Sequence, residues 1–284
     1  LAIIKALRLP FIIVSATTTL LIWHYLNLPY DKFFIFVITG ICLAHISGNL
    51  WNDYFDFKSD FINTSPTPFS GGSRVLQERK VSKKLFLTIA IVFSLTSILI
   101  GLYLLINFFS IRLLILIILA SSLTFFYTGV PFRLIYNYLG EITIFLLFGP
   151  FIYIGIKEMF RLSFDYKIFI ISVTSGIITM KILLVNQIPD CIYDIKAEKR
   201  TITTLLKQKL YYLLLILDII CFITLYIGGF KTLSYIILSI LLITDNIIKI
   251  NWKGKKYEIS SFITILSFIL VSSILFVSKG FTNH

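Results

Sequence analysis

About nine apolar runs, each long enough to cross a bilayer as a helix, follow one another along this chain and constrain its fold more than any other feature. They lie near residues 9–28, 33–51, 85–106, 110–128, 139–156, 168–188, 210–228, 231–249 and 260–278. In hydrocarbon every backbone N–H and C=O must be bonded within the protein, so such runs have one stable form, the α-helix. Hydrophobic residues make up 57% of the 284 residues and the mean hydropathy is +0.92, more apolar surface than a soluble core of this length buries. The expected fold is all-α, a polytopic membrane protein of about nine transmembrane helices around a central cavity, with residues 1–284 forming a single domain. The first run is too long for a signal peptide and lacks a small-residue cleavage site.

Basic residues are unevenly divided between alternate connections. One side holds Lys5, Arg8, Lys58, Arg74, Arg79, Lys80, Lys83, Lys84, Arg133, Lys196, Lys199, Arg200, Lys207, Lys209, Lys249, Lys253, Lys255 and Lys256. The other holds Lys32, Arg112, Lys157, Arg161, Lys167, Lys231 and Lys279. The positive-inside rule places the first set in the cytoplasm and the protein in the cell membrane. The net charge of +12 is spread over short loops, which points to anionic lipid headgroups and an anionic substrate rather than to nucleic acid. Cys42, Cys191 and Cys221 are scattered and odd in number, so neither a disulfide framework nor a zinc site is expected.

Two longer polar connections, near 52–84 and 189–209, are expected to cap the cytoplasmic face. Each begins with an aspartate-rich segment, NDYFDFKSD from Asn52 and NQIPDCIYD from Asn186. Asn52, Asp56 and Asp60 recur every four residues with Asp53 beside them, and Asn186, Asp190 and Asp194 repeat the spacing. On a helix each set forms one polar stripe. A carboxylate at membrane depth costs about 2.5–3.5 kcal/mol, so matched rows of them call for cationic compensation. Hard oxygen ligands suit Mg2+, which takes one or two carboxylates and completes its shell with water and phosphate oxygens. Asp53, Asp56, Asp60, Asp190 and Asp194 are therefore the candidate metal-binding and catalytic residues. A cation transporter would use carboxylates too, but here the acids cluster at helix ends beside arginines, which suits an anionic ligand better.

Asn49 and His45 continue the first stripe into the membrane, so this face should line the cavity, with His45 expected as a hydrogen-bonded interior histidine. Lys58 and Arg74 accompany the first acidic row, and Lys199 and Arg200 the second. Gly71 and Gly72 precede Arg74 and would let backbone amides approach a phosphate that its guanidinium binds. Lys181 lies off the stripe inside the sixth run, and Asp218 and Asp245 are expected to be structural partners rather than members of the site.

The motifs NLWNDYFDFKSD, GGSRVL, YTGVPFRLIYNYLGEITIFLLFGP and NQIPDCIYDIKAEKRT, in this order, resemble the UbiA superfamily of intramembrane prenyltransferases. The resemblance is greatest to the branch that prenylates 1,4-dihydroxy-2-naphthoate in menaquinone biosynthesis. It implies nine helices and a Mg2+-bound polyprenyl diphosphate held by Asn52, Asp53, Asp56, Asp60, Asn186, Asp190 and Asp194. It further implies that Lys58, Arg74, Lys199 and Arg200 neutralise the diphosphate, and that an aromatic quinone precursor is the acceptor. Glu198 and Gln187 depart from that branch's pattern near the mouth. The segment NTSPTPFSGGSR replaces the NRPxRP-like stretch of the hydroxybenzoate, haem O and ether-lipid branches.

Overall fold

The computed structural model describes residues 2–253 and 256–279, and every element among them is helical. Lys255, one of the basic residues used for orientation, lies outside them. The chain begins with α1 (Ala2–Leu7) and α2 (Leu9–Tyr25), followed by α3 (Lys32–Phe55), the short α4 (Phe57–Ile62), α5 (Lys83–Asn107) and α6 (Ile111–Phe126). Next come α7 (Gly140–Leu147), α8 (Pro150–Met159), α9 (Tyr166–Asn186), the short α10 (Cys191–Lys196) and α11 (Ile202–Leu206). The chain closes with α12 (Leu210–Ile227), α13 (Lys231–Lys253) and α14 (Tyr257–Ser278).

Seven helical segments among the described residues are long and apolar enough to span a membrane, counting α7 with α8 and α11 with α12 as one each. Two more apolar helices, α2 and α6, are shorter, at 17 and 16 residues, or about 25 Å of rise. Of the nine spans expected, seven are thus found at full length among the described residues.

Local chemistry sets the helix starts. Asp31 accepts hydrogen bonds from the backbone N–H groups of Phe33 and Phe34, and Asp165 from those of Lys167 and Ile168. Ser82 and Ser110 cap α5 and α6 in the same way. The run expected as one helix over 139–156 is broken between α7 and α8, because Pro150 has no N–H to continue the ladder. A Cβ on Gly149 would lie 2.5 Å from the Ser172 carbonyl and 2.8 Å from the Gly176 Cα, so the two glycines let this break press against α9.

Large apolar side chains such as Leu99, Ile106, Ile118 and Ile227 point outward, as a lipid-facing belt requires. Inside, one cluster packs α9, α12, α13 and α14, and a second packs the ends of α2, α3, α5, α6 and α8 around Trp23 and Tyr153. Within the first half of the bundle, between α3, α5, α6, α8 and α9, lies a cavity of about 690 Å³.

On the other side of α9, Lys181 is fully buried and pairs with Asp218 of α12 and, at 3.1 Å, with Asp245 of α13. These charges hold three helices together and take no part in the cavity wall, as expected for the two aspartates.

Candidate active site

The cavity has a charged end at the aspartate-rich segments and an apolar body running down α3, α5, α6 and α8. From Asn52 to Val37 the lining of α3 extends 15 residues, or about 22 Å of helix rise. Below the charged end the wall is Ile, Leu, Phe, Gly and small hydroxyl residues, including Gly101, Leu104, Ile117 and Ile152.

The first stripe survives a break in its helix. α3 stops at Phe55 and α4 begins at Phe57, yet the Asp56 N–H still donates to the Asn52 carbonyl (2.9 Å) and the Asp60 N–H to the Asp56 carbonyl (2.8 Å). The second stripe is a helix end, a turn and a new short helix. α9 ends at Asn186, and only from Asp190 does an i to i+4 bond resume, with the Asp194 N–H donating to the Asp190 carbonyl at 2.8 Å.

The candidate residues divide by what their oxygens already hold. Asp56 is 1% exposed and accepts from the Tyr136 hydroxyl (2.8 Å), Lys199 Nζ (3.0 Å) and Asn52 Nδ2 (3.2 Å). Asp53 accepts from Arg8 (2.5 Å) and from the Ser73 N–H (3.3 Å). Both therefore stand behind the cavity wall, holding Arg8 and Lys199 at its surface. Asp190 ties the first cap loop to the second segment, accepting from Asn63 Nδ2 and from the Gly71 N–H, each at 2.8 Å. Asp60 and Asn186 are different. Asp60 Oδ2 and Asn186 Oδ1 are buried with no hydrogen-bond partner, and both residues line the cavity. Burying a polar oxygen without a partner is costly, so two of them from residues of one cavity wall suit a wall that takes up a cation or a hydrogen-bond donor.

Asn49, Asn52, Asp60, Asn186, Asp190, Asp194 and Lys199 thus line one space. Arg74 is near it but turned to the cap, its guanidinium donating to the Asp60 carbonyl. Lys58 and Arg200, expected beside the diphosphate, are exposed and lie outside the cavity lining. Lys58 instead edges a smaller pocket with Arg133, on the far side of Tyr136. Arg8 is the residue that sequence reading missed. It sits between two helices in the left-handed region (φ 52), 45 positions from the aspartate it pairs with, and it was indistinguishable there from any other basic loop residue.

Electrostatics follow from burial and spacing. Burial, with Asp56 and Asp53 close by, holds the Asp60 carboxyl well above the usual carboxylate range. Burial also raises Asp190 and pushes Asp194 up to about 7. Burial works against the charge of Lys199, but Asp56 and Asp194 outweigh it and hold the ammonium above its ordinary value. Lys199 is 3.0 Å from Asp56 and 3.9 Å from Asp194, so Asp56 is well compensated and Asp194 only in part. In the ligand-free protein, Asp194 is expected to lower stability as pH rises. A carboxyl whose folded value lies above its unfolded one keeps its proton on folding at low pH and must give up stability between about 4 and 7. Thermal unfolding of the wild type should therefore fall across that window relative to Asp194→Asn. Parallel curves would rule this out.

Gly72 carries a positive φ of 74°, and a Cβ there would run into the Asp60 carboxylate. Gly72→Ala is expected to cost about 1–2 kcal/mol of backbone strain and to push Asp60 off the cavity wall. Unfolding and transfer assays should show a small loss of stability with a larger loss of activity.

Among the described residues no three His, Cys, Asp or Glu side chains gather closely enough to hold a metal by themselves. The lining offers separate carboxylate and amide oxygens facing one space, a donor set that fits a hard divalent cation completed by ligand oxygens.

To a long apolar cavity capped by paired acidic segments and two half-buried cations is added a match over most of the chain: the model of the UbiA prenyltransferase family matches residues 10–276. The chain belongs to this family. It is an integral membrane enzyme that transfers prenyl groups. The UbiA fold is also the one shared with solved structures. A UbiA homologue from Archaeoglobus fulgidus bound to DMAPP and Mg2+ has 14% identity and a TM-score of 0.68 over 95% of this chain and 98% of that one. The apo UbiA homologue from Aeropyrum pernix K1 has 13% identity and the same TM-score over 97% and 98%. Digeranylgeranylglyceryl phosphate synthase has 17% identity and a TM-score of 0.61 over 95% and 97%. At such identities the likeness is one of fold. No curated protein sequence matches the chain.

Proposed function

We propose that this UbiA-family protein transfers the prenyl group of a polyprenyl diphosphate to an aromatic acceptor, 1,4-dihydroxy-2-naphthoate, in the formation of a menaquinone. The observation that carries the donor half is the unpartnered Asp60 and Asn186 oxygens at the charged end of a cavity that is otherwise apolar. A diphosphate with Mg2+ would fit that end, and the isoprenoid chain would fit the body. The solved homologues with DMAPP or GPP and Mg2+ bound support the same assignment.

Asp60, Asp190, Asp194 and Asn186 would hold Mg2+, with Asp53 and Asp56 behind them. When bound, the ion supplies positive charge that stabilises the leaving diphosphate. Arg8 and Lys199 add fixed cations at the same end, aimed by Asp53 and Asp56 respectively. The apolar walls keep water from the allylic carbon as its bond to oxygen weakens and hold an electron-rich ring carbon against it. The naphthoate acceptor is supported by the GGSRVL and YTGVPFR segments, whose text resembles that branch. The positive-inside rule supports a mouth that opens to the cytoplasm.

Purified protein in lipid, given geranylgeranyl diphosphate, Mg2+ and 1,4-dihydroxy-2-naphthoate, should yield a prenylated naphthol by mass spectrometry, and EDTA should abolish it. Transfer to a different aromatic acid alone would remove the acceptor assignment. Failure with every donor and acceptor would remove the reading of the site.

A further inference from the structure

His45 is the one basic side chain of the cavity wall that lies below its charged end. The other ionisable groups of the wall, Arg8, Asp60, Tyr127, Asp190, Asp194 and Lys199, belong to that end. On α3, His45 precedes Asn52 by seven residues, about 10 Å of rise toward the apolar body. Its ring packs on Phe148 with centroids 4.4 Å apart, and its Nδ1 lies 3.1 Å from Ser15 Oγ of α2.

The hydrogen bonds of Ser15 bear on the tautomer of His45. The Ser15 hydroxyl has one proton, which it donates to the Ile12 carbonyl at 2.8 Å. Ser15 Oγ is then an acceptor toward His45. With the Ser15 proton so placed, Nδ1 carries the proton of a neutral imidazole, which leaves Nε2 with a free lone pair. Among the described residues Nε2 has no protein partner, nor is it one of the polar atoms sealed from solvent without one. The lone pair is thus open to the cavity.

We propose that His45 Nε2 receives the hydroxyl proton of a phenolic acceptor during alkylation, an assignment that rests on the prenyl-transfer reading of this cavity. A lone pair at that depth selects an acceptor with an O–H to donate. As the O–H bond breaks, the proton passes to Nε2 and the O–H electron pair becomes the C=O bond of a dienone. The ring π electrons form the new bond to the allylic carbon, and its C–O pair leaves with the diphosphate. Aromaticity returns when the alkylated carbon loses its own substituent, either a proton to the released diphosphate or a carboxylate as CO2. The oxygen then recovers the proton from His45, so the imidazole ends neutral. Ser15 is the positioning residue that keeps Nδ1 protonated and Nε2 free.

The test compares wild type with His45→Gln, which keeps polarity and similar size but is not basic, and with His45→Phe, which keeps a ring against Phe148. Each receives geranylgeranyl diphosphate, Mg2+, and either 1,4-dihydroxy-2-naphthoate or a ring-fluorinated analogue whose hydroxyl is ionised at the assay pH. With the parent acceptor, kcat is expected to fall about 100-fold in both variants, with donor KM and unfolding temperature unchanged. With the fluorinated acceptor, which needs no base, the deficit should shrink at least about tenfold. Equal deficits on both acceptors, no deficit, or wild-type turnover of the hydroxyl-methylated acceptor would each overturn the role of His45 while leaving prenyl transfer intact. No transfer by wild type to any of these acceptors would instead overturn the acceptor reading, and the inference with it.

Discussion

Asp60→Asn should lower prenyl transfer by about 100- to 1,000-fold, the range seen when one group that stabilises developing charge is removed, while thermal stability stays level or rises. The two effects have opposite signs for one reason. Asp60 Oδ2 is buried without a hydrogen-bond partner, and the carboxyl sits beside Asp56 and Asp53, so in the ligand-free fold burial and these neighbours disfavour its charge more than Lys199 and Arg8 offset it. Asparagine removes that charge at nearly the same volume. What is lost is a hard anionic oxygen at the place where the cavity meets the diphosphate and its metal. Groups kept for function against local stability behave in this way. Unfolding curves with and without a prenyl diphosphate and Mg2+ separate the terms: the ligand should raise the melting temperature of the wild type far more than that of the variant. A destabilised Asp60→Asn, or one that turns over normally, would show that Asp60 is a structural anion.

The largest effect on stability is expected at Lys181→Met. Lys181, Asp218 and Asp245 are all buried within helices α9, α12 and α13, and several carboxylate oxygens there have only the ammonium nearby. Removing it leaves two acids side by side in a low-dielectric interior, which costs about 3–5 kcal/mol when one partner of a buried pair is lost. The same reasoning predicts that Lys181→Met with Asp218→Asn and Asp245→Asn recovers most of the loss, since the charges vanish together. Unfolding in detergent measures both. A triple variant no better than the single one would show that Lys181 acts through packing of its stem rather than through its charge. Because the cluster lies across α9 from the cavity, residual folded protein should keep its transfer rate.

Much of this protein is legible in its sequence because lipid leaves few choices. Apolar runs of spanning length become helices since their backbone groups have no other partners, and helical spacing brings Asn49, Asn52 and Asp60 to one cavity wall although the helix breaks between them. The family motifs were likewise readable as local text. The break between α7 and α8 was missed because apolar content alone does not register that Pro150 lacks an N–H.

What tertiary structure decided is pairing over distance. Local spacing made all five aspartates equivalent, whereas the fold gives Asp53 to Arg8 and Asp56 to Lys199, uses Asp190 to fasten the cap, and leaves Asp60 with a buried, unpartnered oxygen. It turned Lys58 and Arg200 out of the cavity although they are neighbours of the motifs in sequence, and brought in Arg8, which is not. Lys181 found its acids 37 and 64 positions away, and His45 found Ser15 on a different helix. Periodicity sets which residues share a helix face, but a charge in a low-dielectric interior goes to whichever opposite charge or dipole packing brings within a few ångströms, and packing is a property of the whole bundle.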